Sequence, residues 1–523
     1  MWSDQQNLST FAVTTAISLA VYLQTVAPTI VGGDAGELVA EGCALGTAHP
    51  PGYPLFTVLV YLVTRLGQKL NPDVVPAYWV NVLNAVFGGV TSGIISSCSL
   101  QLTRIYVDVG ESGRQSRIKR KIAPIAKDSR LFTDTCAAVL SGLLNTFSPL
   151  QWQYATTAEV FALHNLFVTL IIHTAIRFSK KKTKGLLLFG AFLCGLALTN
   201  QHTSILLELP VIIWVFHAAD LRHNSAMLSK AGVAFLVPLS FYCTMPYLAA
   251  TKPHAGSWGD VTSFRGFFHH FLRKDYGTLR LYSGNQQGTE SMVARTFQWF
   301  LDFTTRQAGS PVTLIFFACG FFTLTGIQIT GGRKFAIGRV LVASLIFYLV
   351  VFHSLSNLPL SEPLLYGIHQ VGQVRLFLIQ VMNFLYQLVA KLTHHTTLTF
   401  AHFLLQRFWL HPNALAFICI GVGAAILNRK LVGSSRTGNI TFSTAFLVLA
   451  IYSFRKNIDG SDQSDNFIFR NYALSVLESL PPEALIFINY DQQWTSVRYF
   501  QECEGIRKDV TSINLSMMSY IWW

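Results

Sequence analysis

Long apolar runs recur along this 523-residue chain, and they constrain its fold more than any other feature. A helix of roughly 20 apolar residues crosses the hydrocarbon core of a bilayer, which is about 30 Å thick. The runs of about this length are 8–28, 77–103, 131–148, 156–178, 185–199, 204–218, 231–250, 312–329, 335–353, 412–428 and 441–454. The sequence therefore predicts an all-α multi-pass membrane protein with about eleven transmembrane helices.

The distribution of charge agrees with a membrane protein and excludes some functions. Only 12% of the residues are charged, whereas soluble domains carry about 25%. The net charge is +13, but Lys and Arg cluster in short blocks between apolar runs, which does not indicate a nucleic-acid-binding surface. The eight cysteines are scattered without a CxxC pair. We expect them to be buried small side chains that form neither a metal site nor disulfides.

The basic blocks orient the chain in the membrane. Blocks 104–130, 179–184 and 220–230 are rich in Lys and Arg, and basic short loops stay on the cytoplasmic side. The first run, 8–28, is predicted to be a retained anchor, and the short segment 52–66 to lie in the interface. Alternation then places these segments on the luminal side: loop 29–76, 151–159, 199–203, loop 251–310 and 455–523.

The first luminal loop contains the stretch VGGDAGELVAEG, with Asp34, Glu37 and Glu41 spaced three and four residues apart. If this stretch is helical, the three carboxylates share one face. Its glycines would let a ligand approach the backbone closely. The alternative interpretation is a solvated loop in which Asp34 caps a helix.

Further polar residues fall at the same side of the membrane. His49 and Tyr53 belong to the rigid turn HPPGYP, while Glu159, Asn200 and His202 stand at the luminal mouths of two predicted spans. Each has a simpler interpretation, a surface turn or a hydrogen-bonded helix end. Their coincidence on one side favours a luminal cleft lined by these residues.

A carboxylate-lined cleft beside a membrane suits sugar transfer from a lipid-linked donor to a hydroxyl group. Such a reaction needs a base near the acceptor and partners for the departing phosphate. No glycine-rich nucleotide loop follows a predicted strand, which favours a donor other than a sugar nucleotide. A secondary transporter is an alternative, but its ionisable residues would lie near the bilayer midplane in two repeated halves. The Asp34 motif has no second copy in the sequence.

Several stretches carry a resemblance to a known family. They are GGDAGELVAEGCALGTAHPPGYPLF, ATTAEVFALHNLF, LTNQHTS, SNLPLSEPLLYGIH and RFWLHPNA. With them the chain resembles the GT-C class of polyprenyl-phosphate-sugar glycosyltransferases, and within it the transmembrane protein 260 family. The resemblance covers nearly the whole chain and is specific in the first 60 residues. It implies a GT-C-like fold.

The resemblance also implies an activity. It implies an endoplasmic-reticulum protein O-mannosyltransferase that uses dolichyl-phosphate mannose and modifies Ser or Thr in IPT/TIG domains of plexins and hepatocyte-growth-factor-receptor-family receptors. We expect no cofactor and no metal, because the leaving group carries one phosphate and the sequence contains no convincing cluster of metal ligands. By position, Asp34 would be the general base, and Glu37 would support it or hold the acceptor. The remaining candidates would line the substrate and donor cleft: Glu41, His49, Tyr53, Glu159, Asn200 and His202. A GT-C enzyme that glycosylates a lipid remains an alternative.

The chain departs from the family pattern at two places. Residues 371–406 interrupt the usual run from GIHQ into RFW, and we interpret them as an atypical insert, with a retained in-phase intron as the hypothesis for its origin. We expect residues 1–454 to form the transmembrane catalytic domain and 455–523 a small α/β luminal region, which looks truncated beside the family pattern.

Overall fold

The structure is a computed structural model that describes residues 5–114, 124–278, 290–326, 336–356, 405–489 and 491–520. Of the predicted insert, only Leu405 and Gln406 belong to these ranges, so the insert lies otherwise outside the described residues. The described chain is predominantly helical. This confirms the predicted all-α class.

The helices follow one another with short connections through most of the chain. The first nine are α1 Gln5–Gln24, α2 Ala35–Ala44, α3 Pro54–Leu70, α4 Pro76–Arg114, α5 Pro124–Thr146, α6 Pro149–Ala155, α7 Val160–Lys180, α8 Lys184–Leu198 and α9 Ile205–Ala218. The next eight are α10 Ser225–Leu239, α11 Thr244–Thr251, α12 Phe264–Phe271, α13 Met292–Asp302, α14 Pro311–Thr325, α15 Ala336–Leu355, α16 Leu410–Leu431 and α17 Arg436–Ser461. Each predicted span coincides with a helix or with α10 and α11 in succession.

Six described segments are long and apolar enough to cross a membrane. They are Pro76–Val107, Val160–Lys180, Ser225–Thr251, Ile337–Leu355, Arg407–Leu431 and Arg436–Ser461. Three shorter apolar helices accompany them: Lys184–Leu198, His202–Ala218 and Pro311–Thr325. These helices support a multi-pass membrane protein, while eleven crossings stay a prediction.

Burial separates the inner helices from those at the periphery. In the most apolar stretch of α16, 94% of the residues are buried inside the protein, and in that of α7, 83%. In α17 the corresponding share is 22%. Small residues bring the inner helices together, because a Cβ added to Gly320 of α14 would lie 1.8 Å from the carbonyl oxygen of Cys419 in α16. Such close contacts between helix backbones are typical of membrane helix bundles.

Hydrogen bonds join the connections between helices at both ends of the bundle, whereas the predicted alternation across a membrane stays a prediction. At one end the Ala27 amide donates to the Thr156 carbonyl oxygen at 3.1 Å. At the other end Arg130 Nε donates to the Gly433 carbonyl oxygen at 2.8 Å, among the basic blocks. The end that holds Ala27 also carries α2, and we call it the α2 end.

Residues 468–520 form a small unit that we call the C-terminal unit. It consists of α18 Ile468–Glu478, β1 Leu485–Ile488, α19 Asp491–Cys503 and β2 Thr511–Asn514. The strands pair in parallel with Leu485 opposite Thr511, and α19 is the crossover between them. This small α/β region was predicted, but α17 runs on to Ser461, past the expected boundary at 454.

One expectation from the sequence is wrong. Cys43 and Cys503 form a disulfide across 460 residues, with their Cα atoms 5.6 Å apart, although we expected no disulfides. The pairing escapes sequence analysis because only the packing of α2 against α19 brings the two cysteines within bonding range. The other six cysteines of the chain are free.

Peptide mapping of the unreduced protein tests this disulfide. After alkylation in denaturant and proteolysis, we expect one linked peptide pair that contains Cys43 and Cys503 and that separates on reduction. The buried Cys98 and Cys419 serve as controls and should carry the alkyl label. Label on both Cys43 and Cys503 would contradict the arrangement.

Candidate active site

The approach to α2 depends on a glycine. Gly33 has φ +87°, and a Cβ there would lie 2.5 Å from Glu159 Oε1, so the position favours glycine for its backbone and for its surroundings. The next residue, Asp34, donates its backbone N–H to the same Glu159 oxygen at 2.8 Å. This contact fixes the start of α2 against the start of α7, where Glu159 is the N-cap residue.

Asp34 occupies the N-cap position of α2, but among the described contacts its side chain makes no capping hydrogen bond. Instead Arg407 Nη1 donates to Asp34 Oδ2 at 2.7 Å. The Asp34 side chain is 27% exposed, so another molecule can reach it. Burial alone would raise the pKa of Asp34, but Arg407 and then His49 lower it below its ordinary value. Asp34 is therefore an ionised carboxylate at neutral pH.

Glu159, unlike Asp34, is protonated near neutral pH. It is buried, and its Oε2 has no hydrogen-bond partner among the described residues. Burial, followed by the negative charge of Asp34, raises the pKa of Glu159 to about 8. Two neighbouring carboxyl groups thus differ in protonation near neutral pH, an arrangement common where proton transfer occurs. We call Asp34, Glu159 and Arg407 the Asp34 cluster.

Glu37 holds the HPPGYP turn onto α2. Its Oε1 accepts the backbone N–H of His49 at 2.6 Å, and its Oε2 lies 3.0 Å from His49 Nδ1. On the other side of the ring, His49 Nε2 lies 3.1 Å from the Tyr53 hydroxyl. Burial alone would lower the pKa of His49, but the oxygen atoms of Tyr53 and Glu37 raise it well above its ordinary value. The predicted residues Glu37, His49 and Tyr53 thus form one hydrogen-bonded chain.

Glu41 is placed differently from the other two carboxylates of its motif. It is fully buried, is paired with Arg498 of α19, and accepts a hydrogen bond from Ser257 Oγ at 2.7 Å. We call Glu41, Ser257 and Arg498 the Arg498 cluster. Burial, only partly offset by Arg498, raises the pKa of Glu41. The partners of Glu41 are structural, so the three carboxylates do not act as one set.

Asn200 and His202 both have protein partners in the structure. Asn200 Nδ2 donates to the Val160 carbonyl oxygen at 3.0 Å, so it anchors the start of α7 next to Glu159. His202 Nε2 lies 2.8 Å from the Tyr242 hydroxyl. These contacts match the simpler interpretation of a hydrogen-bonded helix end for both residues.

Two arginines at the site were missed in the sequence. Arg407 precedes α16, and its guanidinium lies over the Phe161 ring at 5.3 Å. Arg273 follows α12 with φ +54°, a left-handed conformation that is uncommon outside glycine. A lone arginine at the mouth of an apolar span was the available signal for Arg407, whereas nothing in the sequence singles out Arg273.

Arg273 has no acidic side chain as an ion-pair partner among the described residues. Its guanidinium lies 5.4 Å from the Tyr276 ring centre, and its Nε is buried without an acceptor in the described part of the chain. Its charge adds to those of Arg407 and His49 in lowering the pKa of Asp34 against the effect of burial. The described residues contain no group of three His, Cys, Asp or Glu placed to hold a metal ion.

Two regions of the chain match models of a known protein family. Residues 34–225 match the model described as the Protein O-mannosyl-transferase TMEM260 N-terminal domain, and residues 469–523 match TMEM260-associated domain 2. In these two regions the chain is therefore similar to the TMEM260 proteins. The first matched region begins at Asp34 and includes every candidate residue predicted from the sequence.

Two curated TMEM260 relatives align with nearly the whole chain. Protein O-mannosyl-transferase TMEM260 of Mus musculus is 28% identical over 513 residues, covering 96% of this chain and 62% of the relative. Protein O-mannosyl-transferase tmem260 of Dictyostelium discoideum is 27% identical over 535 residues, covering 96% of this chain and 56% of the relative. The chain thus spans about three fifths of the length of these TMEM260 relatives.

A solved structure supplies the fold. The crystal structure of ArnT from Cupriavidus metallidurans bound to undecaprenyl phosphate superposes with a TM-score of 0.50 and 11% sequence identity. The superposition covers 98% of this chain and 90% of ArnT. The predicted GT-C-like fold is thereby confirmed for this chain.

The protonation of Glu159 predicts a pH dependence of stability. Its pKa is about 8 in the folded protein, above the ordinary 4.5, so the folded state binds more protons between these values. The stability contributed by protonated Glu159 is therefore complete below about pH 4.5 and is lost as the pH rises through about 8. Glu159→Gln should remove this loss, on the order of 3 kcal/mol between about pH 5.5 and 8.5.

Chemical unfolding of the two proteins in the same detergent measures this difference. The free energy of unfolding of the wild type should fall with rising pH relative to that of Glu159→Gln. Other titrating groups are common to both proteins and largely cancel in the comparison. Parallel curves over the whole range would show that Glu159 is already ionised.

Proposed function

We propose that this TMEM260 relative is a protein O-mannosyltransferase of the endoplasmic-reticulum membrane, with its active site on the luminal side. Its donor is dolichyl-phosphate mannose, and its acceptors are Ser or Thr residues in IPT/TIG domains of plexins and hepatocyte-growth-factor-receptor-family receptors. The observation that carries the proposal is the Asp34 cluster, an accessible ionised carboxylate beside a buried protonated one at the mouth of a GT-C-like bundle. The names of the two curated relatives support mannose transfer to protein.

Asp34 is the general base of the proposed reaction. A Ser or Thr hydroxyl is a poor nucleophile at neutral pH, and a positioned carboxylate that takes its proton accelerates attack on the sugar. Arg407 keeps Asp34 ionised, and the Glu159 oxygen that accepts the Asp34 backbone N–H fixes its position. Glu37 supports this arrangement by holding His49 and the HPPGYP turn beside α2.

The charges at the site suit a phosphate-containing donor. Three cationic side chains stand there: Arg407, His49 and Arg273. The carboxylates of Asp34 and Glu37 balance two of these charges, because Glu159 keeps its proton near neutral pH. One positive charge remains for the single negative charge of a sugar–phosphate diester. Cleavage of the sugar–oxygen bond leaves a second negative charge on the phosphate, which nearby guanidinium groups stabilise.

Arg273 is the residue best placed to bind this phosphate. The Nε atoms of Arg273 and Arg407 are both buried without an acceptor among the described residues. Arg407 is already paired with Asp34, whereas Arg273 forms no ion pair in the described part of the chain. A guanidinium group binds phosphate through several N–H donors at once. The bound undecaprenyl phosphate of ArnT shows that the same fold accommodates a lipid phosphate in that protein.

Replacement of the base tests the acceptor half of the proposal. Asp34→Asn keeps the size of the side chain and removes its basicity, so kcat should fall roughly 10²–10⁴-fold. Initial rates of mannose transfer to a purified IPT domain, followed by intact mass, measure the change. Asp73→Asn is the matched control, because Asp73 is exposed in the connection between α3 and α4 and should tolerate the change.

The second carboxyl decides the assignment of the base. If Asp34→Asn keeps the wild-type kcat while Glu159→Gln abolishes turnover, Glu159 is the base and our assignment of Asp34 is wrong. If both variants keep a reduced but measurable turnover, their pH profiles separate them, because removal of the basic carboxylate also removes its limb from the pH profile.

Replacement of Arg273 tests the donor half. With purified protein, dolichyl-phosphate mannose should support transfer and GDP-mannose should not. Arg273→Gln should raise the KM for the lipid-linked donor about tenfold or more, since hydrogen bonds to charged groups contribute about 1.5–3 kcal/mol, and should leave the KM for the acceptor unchanged. Arg265→Gln, an exposed arginine on α12, is the control. Transfer from GDP-mannose, or an unchanged donor KM, would contradict this half.

A further inference from the structure

The C-terminal unit is joined to the catalytic loop and does not hang free from the bundle. The Cys43–Cys503 disulfide links the last turn of α2 to the end of α19. A Cβ added to Gly36 of α2 would lie 2.9 Å from the Thr495 carbonyl oxygen, so the two helix backbones are in contact. The C-terminal unit therefore packs directly against α2, the helix that begins next to Asp34.

A buried ion pair lies at the centre of this contact. The side chains of Glu41 and Arg498 are 0% and 3% exposed. Each has a further polar partner, since Arg498 also donates to the Gly256 carbonyl oxygen and Glu41 accepts from Ser257. Ser257 Oγ donates to the second carboxylate oxygen at 2.7 Å, and the Arg498 guanidinium lies 5.2 Å from the Trp494 ring centre. A buried ion pair is a poor source of net stability, since well-packed apolar residues often do as well. It does fix geometry, because displacement leaves two buried charges unpaired.

The position of Glu41 determines the position of α2, which also carries the proposed reactive residues Asp34 and Glu37. Glu41 follows Glu37 by four residues on α2, so the two lie one turn apart on the same helix. Asp34 stands at the first end of this helix. A rotation or shift of α2 would therefore move Asp34 and Glu37 together, and a displacement of about 1 Å at a reacting group can reduce the rate about 100-fold.

We propose that Arg498 is a positioning residue for this active site: through its ion pair with Glu41 it sets α2, and thereby Asp34 and Glu37, in the reactive arrangement. The proposal rests on the proposed transferase function for its kinetic consequence. It gives the C-terminal unit a part in the reaction without contact with the substrate. The two residues of the ion pair lie one in each matched family region, 34–225 and 469–523.

A charge-deletion cycle in the full chain tests this proposal. Arg498→Met leaves the Glu41 carboxyl buried without its partner, so kcat should fall about 100-fold while both KM values stay within about twofold. The double variant Glu41→Gln/Arg498→Met removes both buried charges and should recover kcat to within about tenfold of the wild type. Lys508→Met is the matched control, because Lys508 is an exposed cation on the same unit.

A second measurement is independent of activity. Backbone hydrogen–deuterium exchange of residues 35–44 should become faster in Arg498→Met, return towards the wild-type rate in the double variant and stay unchanged in Lys508→Met. Absence of mannose transfer by the wild type would refute the proposed function alone, and the exchange rates would still decide whether Arg498 fixes α2.

The same experiments define what overturns the proposal. Wild-type kcat and wild-type exchange in Arg498→Met would show that the ion pair does not set α2. A double variant with wild-type exchange but no recovery of kcat would show that Arg498 or Glu41 acts on the reaction itself. If Arg498→Met does not fold, the double variant decides by its kcat and exchange.

Discussion

The ion pair between Asp34 and Arg407 joins the first connection of the bundle to the start of α16, 373 residues later, and the chemistry of the site depends on it. Arg407 keeps Asp34 ionised against the effect of burial, and the resulting negative charge helps to keep Glu159 protonated. Burial is the main reason that the pKa of Glu159 is raised, and the positive charge of Arg407 opposes it only in part. The site has this electrostatic arrangement only when α2, α7 and α16 are correctly packed.

Helix α2 lies between two polar clusters with different tasks. The Asp34 cluster, at its start, faces the transmembrane bundle and contains the accessible carboxylate. The Arg498 cluster, one to two turns later, faces the C-terminal unit and is buried. Glu37 lies between them and extends the contacts to the HPPGYP turn. A ten-residue helix is too short to be stable alone in water, so these tertiary contacts hold it in place.

The sequence predicted the helices and the gathering of polar residues at the α2 end, because apolar length and basic blocks are local signals. It also placed Asp34, Glu37, His49 and Glu159 in one region. It did not predict that Glu41 separates from them, since Arg498 is 457 residues away. For the same reason, separation along the sequence, it did not predict the roles of Arg407 and Arg273 or the Cys43–Cys503 pair. Contacts between remote segments depend on how helices pack, and a single sequence carries no local signal for that.

The disulfide has a consequence for the order of events during biosynthesis. Cys43 leaves the ribosome before ten of the predicted spans have been made, whereas Cys503 follows the last of them. The covalent bond can therefore form only after the intervening helices have inserted and have brought both ends of the chain to the same membrane surface. Disulfides persist in oxidising compartments, which supports the predicted placement of α2 away from the cytosol. Closure of this bond would therefore distinguish chains in which all the intervening helices are in place from partly inserted ones.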